Sequence, residues 1–255
     1  MMFPRRLGYA LLFAVPVLAK LPAEVKLLAR LKQRGGAALG QAVNYPCLET
    51  IERFESGSLR KSKINNLGTL RFEVAHIGGR EVIALPGSRE FDKRTRAEMT
   101  GLGLSVAGVF HAFGKSVFGT NAATVQFSGW ETVAGRRLAR YDFSIPQYVS
   151  GYAISGATGV TAIVGSKGRF WADPVREELV RLTSEADEIP IEIGLRRVLV
   201  DVRYGRVSLP SGEVQLPETS IAESVAWNGR EIRNFSEFTQ CRSFRAESSL
   251  KFEDV

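Results

Sequence analysis

The chain has 255 residues, of which 44% are hydrophobic and 24% charged, a composition that excludes both a disordered chain and a polytopic membrane protein. Its 34 Lys and Arg against 27 Asp and Glu give a formal charge of +7, yet the basic residues are spread along the sequence, so no nucleic-acid footprint is expected. Arg136/Arg137, Arg196/Arg197 and the group Arg60, Lys61, Lys63 read as solvated strand ends or loops.

Arg5 and Arg6 precede an almost uncharged run from Leu7 to Ala19 that ends in small residues. A basic start followed by an apolar stretch of about 7–15 residues is the secretory pattern, and it falls well short of the ~20 apolar residues of a membrane span. Residues 1–19 are therefore expected to be a signal peptide, cleaved after Ala19 or Ala23, with an uncleaved anchor as the alternative. The expected product is a single β-rich domain over 20–255, periplasmic or extracellular, with no stable membrane span after cleavage.

Residues 22–43 predict a helix, with Val25, Leu28, Leu31, Leu39 and Ala42 near one face and Gly35-Gly36 weakening its middle. Pro46 ends it, and from Cys47 the period moves toward 2, as on passing from helix to sheet. Leu70, Phe72 and Val74 alternate with Arg71 and Glu73, and Gly78-Gly79 turns the chain into Arg80 to Leu85.

Residues 101–120 break the alternation. Leu102, Leu104, Val106, Val109, Phe110, Phe113, Val117 and Phe118 share this segment with one charged residue, Lys115, so a helix here cannot lie on an open surface. Five glycines lower its intrinsic helicity, which leaves packing to order it. It reads as a core helix on the concave side of a sheet or as a movable plug over an apolar cavity.

Alternation then resumes. Ala139, Tyr141, Phe143 and Ile145 form one face, as do Val180, Leu182 and Ala186, then Val198, Val200, Val202 and Tyr204, and finally Phe244, Ala246, Ser248, Leu250 and Phe252. After Gly205 the phase slips to Val207 and Leu209, which predicts a β-bulge. Turn signals at Ala134-Gly135, Gly156 to Gly159, Ser166 to Gly168, Asp173-Pro174, Ser211-Gly212 and Asn228-Gly229 space the strands as successive hairpins.

Two cysteines, Cys47 and Cys241, are an even pair that an oxidising compartment would bridge; two buried thiols are the alternative. A bridge would bring the two ends of the meander together, which implies that the sheet curls.

Catalytic patterns are sparse. His76 follows an apolar face and His111 lies inside the apolar segment, so both read as packed side chains, and no spacing of ligands resembles a zinc site. No G-x-S-x-G elbow, P-loop or dinucleotide fingerprint occurs, and no cofactor is expected.

The words Asn44-Tyr45-Pro46-Cys47-Leu48-Glu49-Thr50-Ile51-Glu52-Arg53, Arg140-Tyr141-Asp142-Phe143, Phe170-Trp171-Ala172-Asp173-Pro174 and Phe238 to Arg242 resemble an uncharacterised family of secreted bacterial proteins. More distantly, residues 129–145 and 169–182 are similar to two successive hairpins of the periplasmic lipoprotein-carrier superfamily, the LolA-like and RseB-like proteins. That resemblance implies an α+β fold: a strongly curved antiparallel sheet, an unclosed or half barrel, with the N-terminal helix and the apolar insert covering its concave face.

The leading expectation is a non-catalytic exported protein that binds a lipid or acyl chain in the hollow of the sheet. Leu70, Phe72, Val74, Val109, Phe110, Phe113, Tyr141, Phe143, Val180, Leu182, Phe244 and Leu250 would line it, acting by burial of apolar area. The alternatives are a structural or interaction protein with a filled core and an envelope protein partner, and third an unrecognised hydrolase.

Overall fold

The computed structural model describes residues 21–41, 45–57, 63–77, 80–88, 91, 112–156, 159–210 and 212–243. Residues 1–19, most of the 101–120 insert and the strand expected around Phe244 to Phe252 lie outside them. No helix among the described residues is long and apolar enough to cross a membrane.

Helix α1 spans Ala23–Gln41. Pro22 stands just before it, where a missing N–H costs nothing. Leu27 and Leu31, one turn apart, are buried, while Val25 is exposed. The expected face through Val25 is therefore rotated, because at 100° per residue Val25 points about 200° away from Leu27. The helix is tied down at several points. The Tyr141 hydroxyl donates to the Glu24 carbonyl at 2.7 Å, Arg34 pairs with Glu177 at 3.0 Å, and Arg30 pairs with the same carboxylate.

Among the described residues twelve strands follow: β1 Cys47–Ser56, β2 Asn65–Ile77, β3 Arg80–Ala84, β4 Thr124–Val133, β5 Arg136–Ile145, β6 Ala153–Ser155, β7 Thr161–Ile163, β8 Gly165–Asp173, β9 Glu178–Asp187, β10 Leu195–Leu209, β11 Gly212–Ala226 and β12 Glu231–Thr239. Helix α2, Ala112–Phe118, precedes β4. Strands β6 and β7 pair alone, and the other ten form one open sheet in the order β3-β2-β1-β12-β11-β10-β9-β8-β5-β4. Every pairing is antiparallel. The expected fold class, an unclosed antiparallel sheet with few helices, is the one observed. Strand twist bends such a sheet, and its bulges bend it further.

The local turns follow from their residues. Ala134 and Gly135 both have positive φ, 47° and 77°, the two-residue hairpin geometry that matches strand twist. Asp173 accepts hydrogen bonds from the N–H groups of Val175 and Arg176 at 2.8 and 3.1 Å, so the Asp-Pro pair builds the β8–β9 turn through its carboxylate.

The turn expected at Ser166 to Gly168 is not a turn; these residues lie inside β8. Gly168 is there for space, since a Cβ would come within 1.9 Å of the Thr183 carbonyl and 2.9 Å of the Phe143 ring. The slip expected near Gly205 is present, with Arg203 opposite Thr219 and Tyr204 opposite Pro217. Glu218 is thus the extra residue, and the bulge sits on β11.

Cys47 and Cys241 form a disulfide. The curl it was expected to force is not required, because β1 and β12 are neighbours in the sheet. The Arg242 N–H donates to the Pro46 carbonyl at 3.0 Å, so the bridge closes the end of a ladder already formed.

What must instead cross the sheet is the β3–β4 connection. It joins opposite edges of ten strands, roughly 43 Å apart if the sheet were flat at ~4.8 Å per strand. The part of it nearest β4, helix α2, packs with α1 against one face, here called the inner face.

Candidate functional site

Strand register sets the inner face row by row. One row runs Leu70, Ile51, Ser236, Ser220, Val202, Leu182, Phe170, Tyr141. The next runs Arg53, Asn234, Ala222, Val200, Ser184, Gly168, Phe143. Strands β5, β8, β9 and β10 supply large apolar groups, whereas β11, β12 and β1 interleave small and polar ones.

At the apolar end the packing is dense. Tyr141 and Phe170 are fully buried and stack with ring centroids 4.8 Å apart, and Phe118 of α2 meets Phe170 edge-on at 4.9 Å. Such ring pairs add about 0.5–1.5 kcal/mol beyond area burial. Burial pushes the Tyr141 phenol from its ordinary 10.0 up to about 12, with the Glu24 carboxylate adding to the effect. Burial likewise raises Tyr152 and Tyr204.

At the polar end Glu49 is buried between Phe72 and Phe238, and Arg53 and Asn234 are buried side by side. None of the three polar residues is without a partner. A buried charge is tolerated only when partnered, so this band is a built feature of the face rather than a solvated edge.

The structure brings Phe72, Val74, Tyr141, Phe143 and Leu182 into one buried cluster, with half-buried Leu70 packed against it. Val180 does not join them. Trp171 pairs with Arg181 and Ala172 with Leu179, so Val180 is the extra residue of a bulge and Leu179 takes the buried position. Phe113 falls in α2, whose backbone alone is described at that position. Val109, Phe110, Phe244 and Leu250 lie outside the described residues.

Sequence reading missed Phe118, Val200, Val202, Leu216 and Phe238 as lining residues, and the whole polar band. In β11 the apolar Ile221 and Val225 share one parity and Ser220, Ala222 and Ser224 the other, so hydrophobicity alone selects the wrong face. A parity carried across from Val198, Val200 and Val202 would have found the right one.

The outer face is a ladder of paired charges. Glu223 takes Arg197 at 3.4 Å and Arg233 at 2.8 Å, Arg206 bridges Glu178 and Glu213 at 2.7 and 2.8 Å, and Arg181 grips Asp201 with two nitrogens while its guanidinium covers Trp171. Among the described residues no group of three or more His, Cys, Asp or Glu is placed to hold a metal ion.

No protein-family model and no curated protein matches this chain. Similar solved structures include a DUF1329 family protein from Desulfovibrio piger (10% identity, 89% of this chain and 94% of that one, TM-score 0.45). A putative outer membrane lipoprotein-sorting protein domain from Vibrio parahaemolyticus is similar at 10% identity over 90% and 96%, TM-score 0.42. The LolA superfamily protein NE2245 from Nitrosomonas europaea follows at 10% identity over 85% and 94%, TM-score 0.37. The superfamily expected from the sequence is thus among the solved structures to which the chain is similar.

Proposed function

We propose that the chain is a non-catalytic, exported binding protein that holds an amphipathic ligand, an acyl chain or another apolar body bearing a polar group, against the inner face and beneath the 101–120 segment. The observation that carries this reading is the continuity of one apolar cluster from Ile83 on β3 to Tyr141 on β5, interrupted by a single polar band at Glu49, Arg53 and Asn234. An apolar surface with a few fixed polar groups is the usual make-up of a small-molecule site. Burial of apolar area, at about 25 cal/mol per Å², would drive binding. The polar band would orient the ligand.

The close-packed rings of Tyr141, Phe170 and Phe118 favour a second reading in which this face is filled and the protein acts through an envelope partner. Native mass spectrometry of the purified chain and titration with a fluorescent fatty acid separate the two. The first reading expects one bound lipid, or saturable uptake that Leu70→Asp weakens at least tenfold with the circular dichroism retained. Neither bound lipid nor uptake would leave the filled-core reading standing.

A further inference from the structure

The end of the sheet where β5 stops and β8 begins exposes Ile64 just before β2 and, from the connections after β5, β9 and β11, a group of six apolar side chains: Tyr148, Val149, Val160, Ile163, Ile191 and Trp227. At the opposite end, among the described residues, Ile77, Val133 and Val175 are the exposed large apolar groups, and they stand amid Arg136, Glu177, Arg206 and Glu213.

The six are held by rigid pieces. Pro146 and Pro190, at φ −62° and −61°, each open a single 3-10 turn, Gln147–Val149 and Ile191–Ile193, that presents its apolar side chain outward. The Gln147 amide donates to the Ile163 carbonyl at 2.8 Å, and the Trp227 N–H donates to the Gly194 carbonyl at 3.2 Å. Gly156 donates to the Val160 carbonyl at 2.8 Å and abuts the second turn so closely that a Cβ would come within 2.2 Å of the Ile193 carbonyl. Two 3-10 turns, the β6–β7 hairpin and the β11–β12 turn are thereby locked into one patch.

We propose that this patch is a lip that docks on a lipid surface. Tyr148 is 87% exposed, Ile191 70% and Trp227 59%, values of side chains that protrude and not of the walls of a groove. Protruding Trp and Tyr among Ile and Val suit the zone between lipid headgroups and acyl chains, where one end of each aromatic is apolar and the other wet. The lip carries exposed Glu188 and Glu192 beside Ile191, and Lys167 is paired with Asp187, so its apolar and aromatic tips supply the attraction, with no help from charge. Tyr152 packs against both the main core and the satellite cluster beneath the lip, so the lip is seated on the body of the domain and not on a free loop. This inference stands apart from the ligand reading of the inner face.

The test is co-sedimentation of the full chain with vesicles of phosphatidylcholine, with and without phosphatidylglycerol. Binding is expected to both, and no tighter to the anionic vesicles, because Glu188 and Glu192 flank the exposed Ile191. The pair Tyr148→Ser with Ile191→Ser should weaken it at least tenfold while leaving the melting temperature unchanged. A blue shift of tryptophan emission on vesicle addition should shrink in Trp227→Phe. The proposal is overturned if the chain stays in the supernatant, if the double variant sediments as the parent does, or if sedimentation velocity shows a dimer that the double variant dissolves while vesicles bind neither form.

Discussion

The β5–β8 half of the inner face and its β11–β12–β1 half are buried by opposite means. In the first, the stacked rings of Tyr141 and Phe170 fill space, with Phe118 of α2 set edge-on against them. In the second, Ser220, Ser236, Asn234, Arg53 and Glu49 are buried among apolar groups that include Phe72 and Phe238, and a disulfide fastens the end of β12 to the start of β1. The lesson is that dispersion and area stabilise one half, while the other needs partnered polar groups and a covalent tie to remain ordered.

Removing the tie should have the largest effect. Cys47→Ala with Cys241→Ala, or reduction, opens a loop of 194 residues and is expected to cost about 5 kcal/mol on the chain-entropy account. Urea unfolding measures the loss, and hydrogen exchange locates it. Faster exchange in β1 and β12 than in β5 and β8 sharpens the contrast, and equal loss everywhere breaks it.

Next comes a pair of truncations, one from each kind of packing. Phe170→Ala should cost about 3–5 kcal/mol, because the ring is fully buried and its removal leaves a cavity between Tyr141 and Phe118. Ser184→Ala should stay within about 0.5 kcal/mol or stabilise, since the Ser184 hydroxyl is buried with no hydrogen-bond partner and its removal ends a desolvation cost. A large loss in Ser184→Ala would show that the hydroxyl is engaged after all.

A loss well below that of Phe170→Ala is expected at Tyr141. Tyr141→Phe forfeits the hydrogen bond to the Glu24 carbonyl, worth about 1 kcal/mol near neutrality. The phenol ionises near 10.0 in the unfolded chain and at about 12 in the folded one, so its share of stability is intact below pH 10 and is lost as pH rises through about 12. Melting curves from pH 8 to 12 should therefore fall more steeply for the parent than for Tyr141→Phe. Parallel curves would remove Tyr141 from the alkaline transition.

Much of the architecture was legible in the order of residues. Alternation marked Leu70 to Val74, Ala139 to Ile145 and Val198 to Val202, and the two-residue turn at 134–135 fixed the register of β4 and β5. The misses have local causes. Val180 lost its place to Leu179 through a bulge that depends on how β8 and β9 pair, and Ser166 to Gly168 looked like a turn because close packing and tight turning both select glycine. The polar band was invisible, since a serine or asparagine reads as solvent-facing until its neighbours on adjacent strands are known.

By itself the sequence determined the elements: an initial helix, an apolar insert, a long antiparallel meander and a cysteine pair at its two ends. Those are properties of periods and turns, which act over a few residues. Tertiary structure alone decided that β1 lies beside β12, that the apolar insert must therefore link opposite edges of the sheet, and that Glu49 and Arg53 face inward while six apolar tips gather at one end. Strand order is set by pairings between residues distant in the chain, and no local pattern encodes which distant strand will be the neighbour.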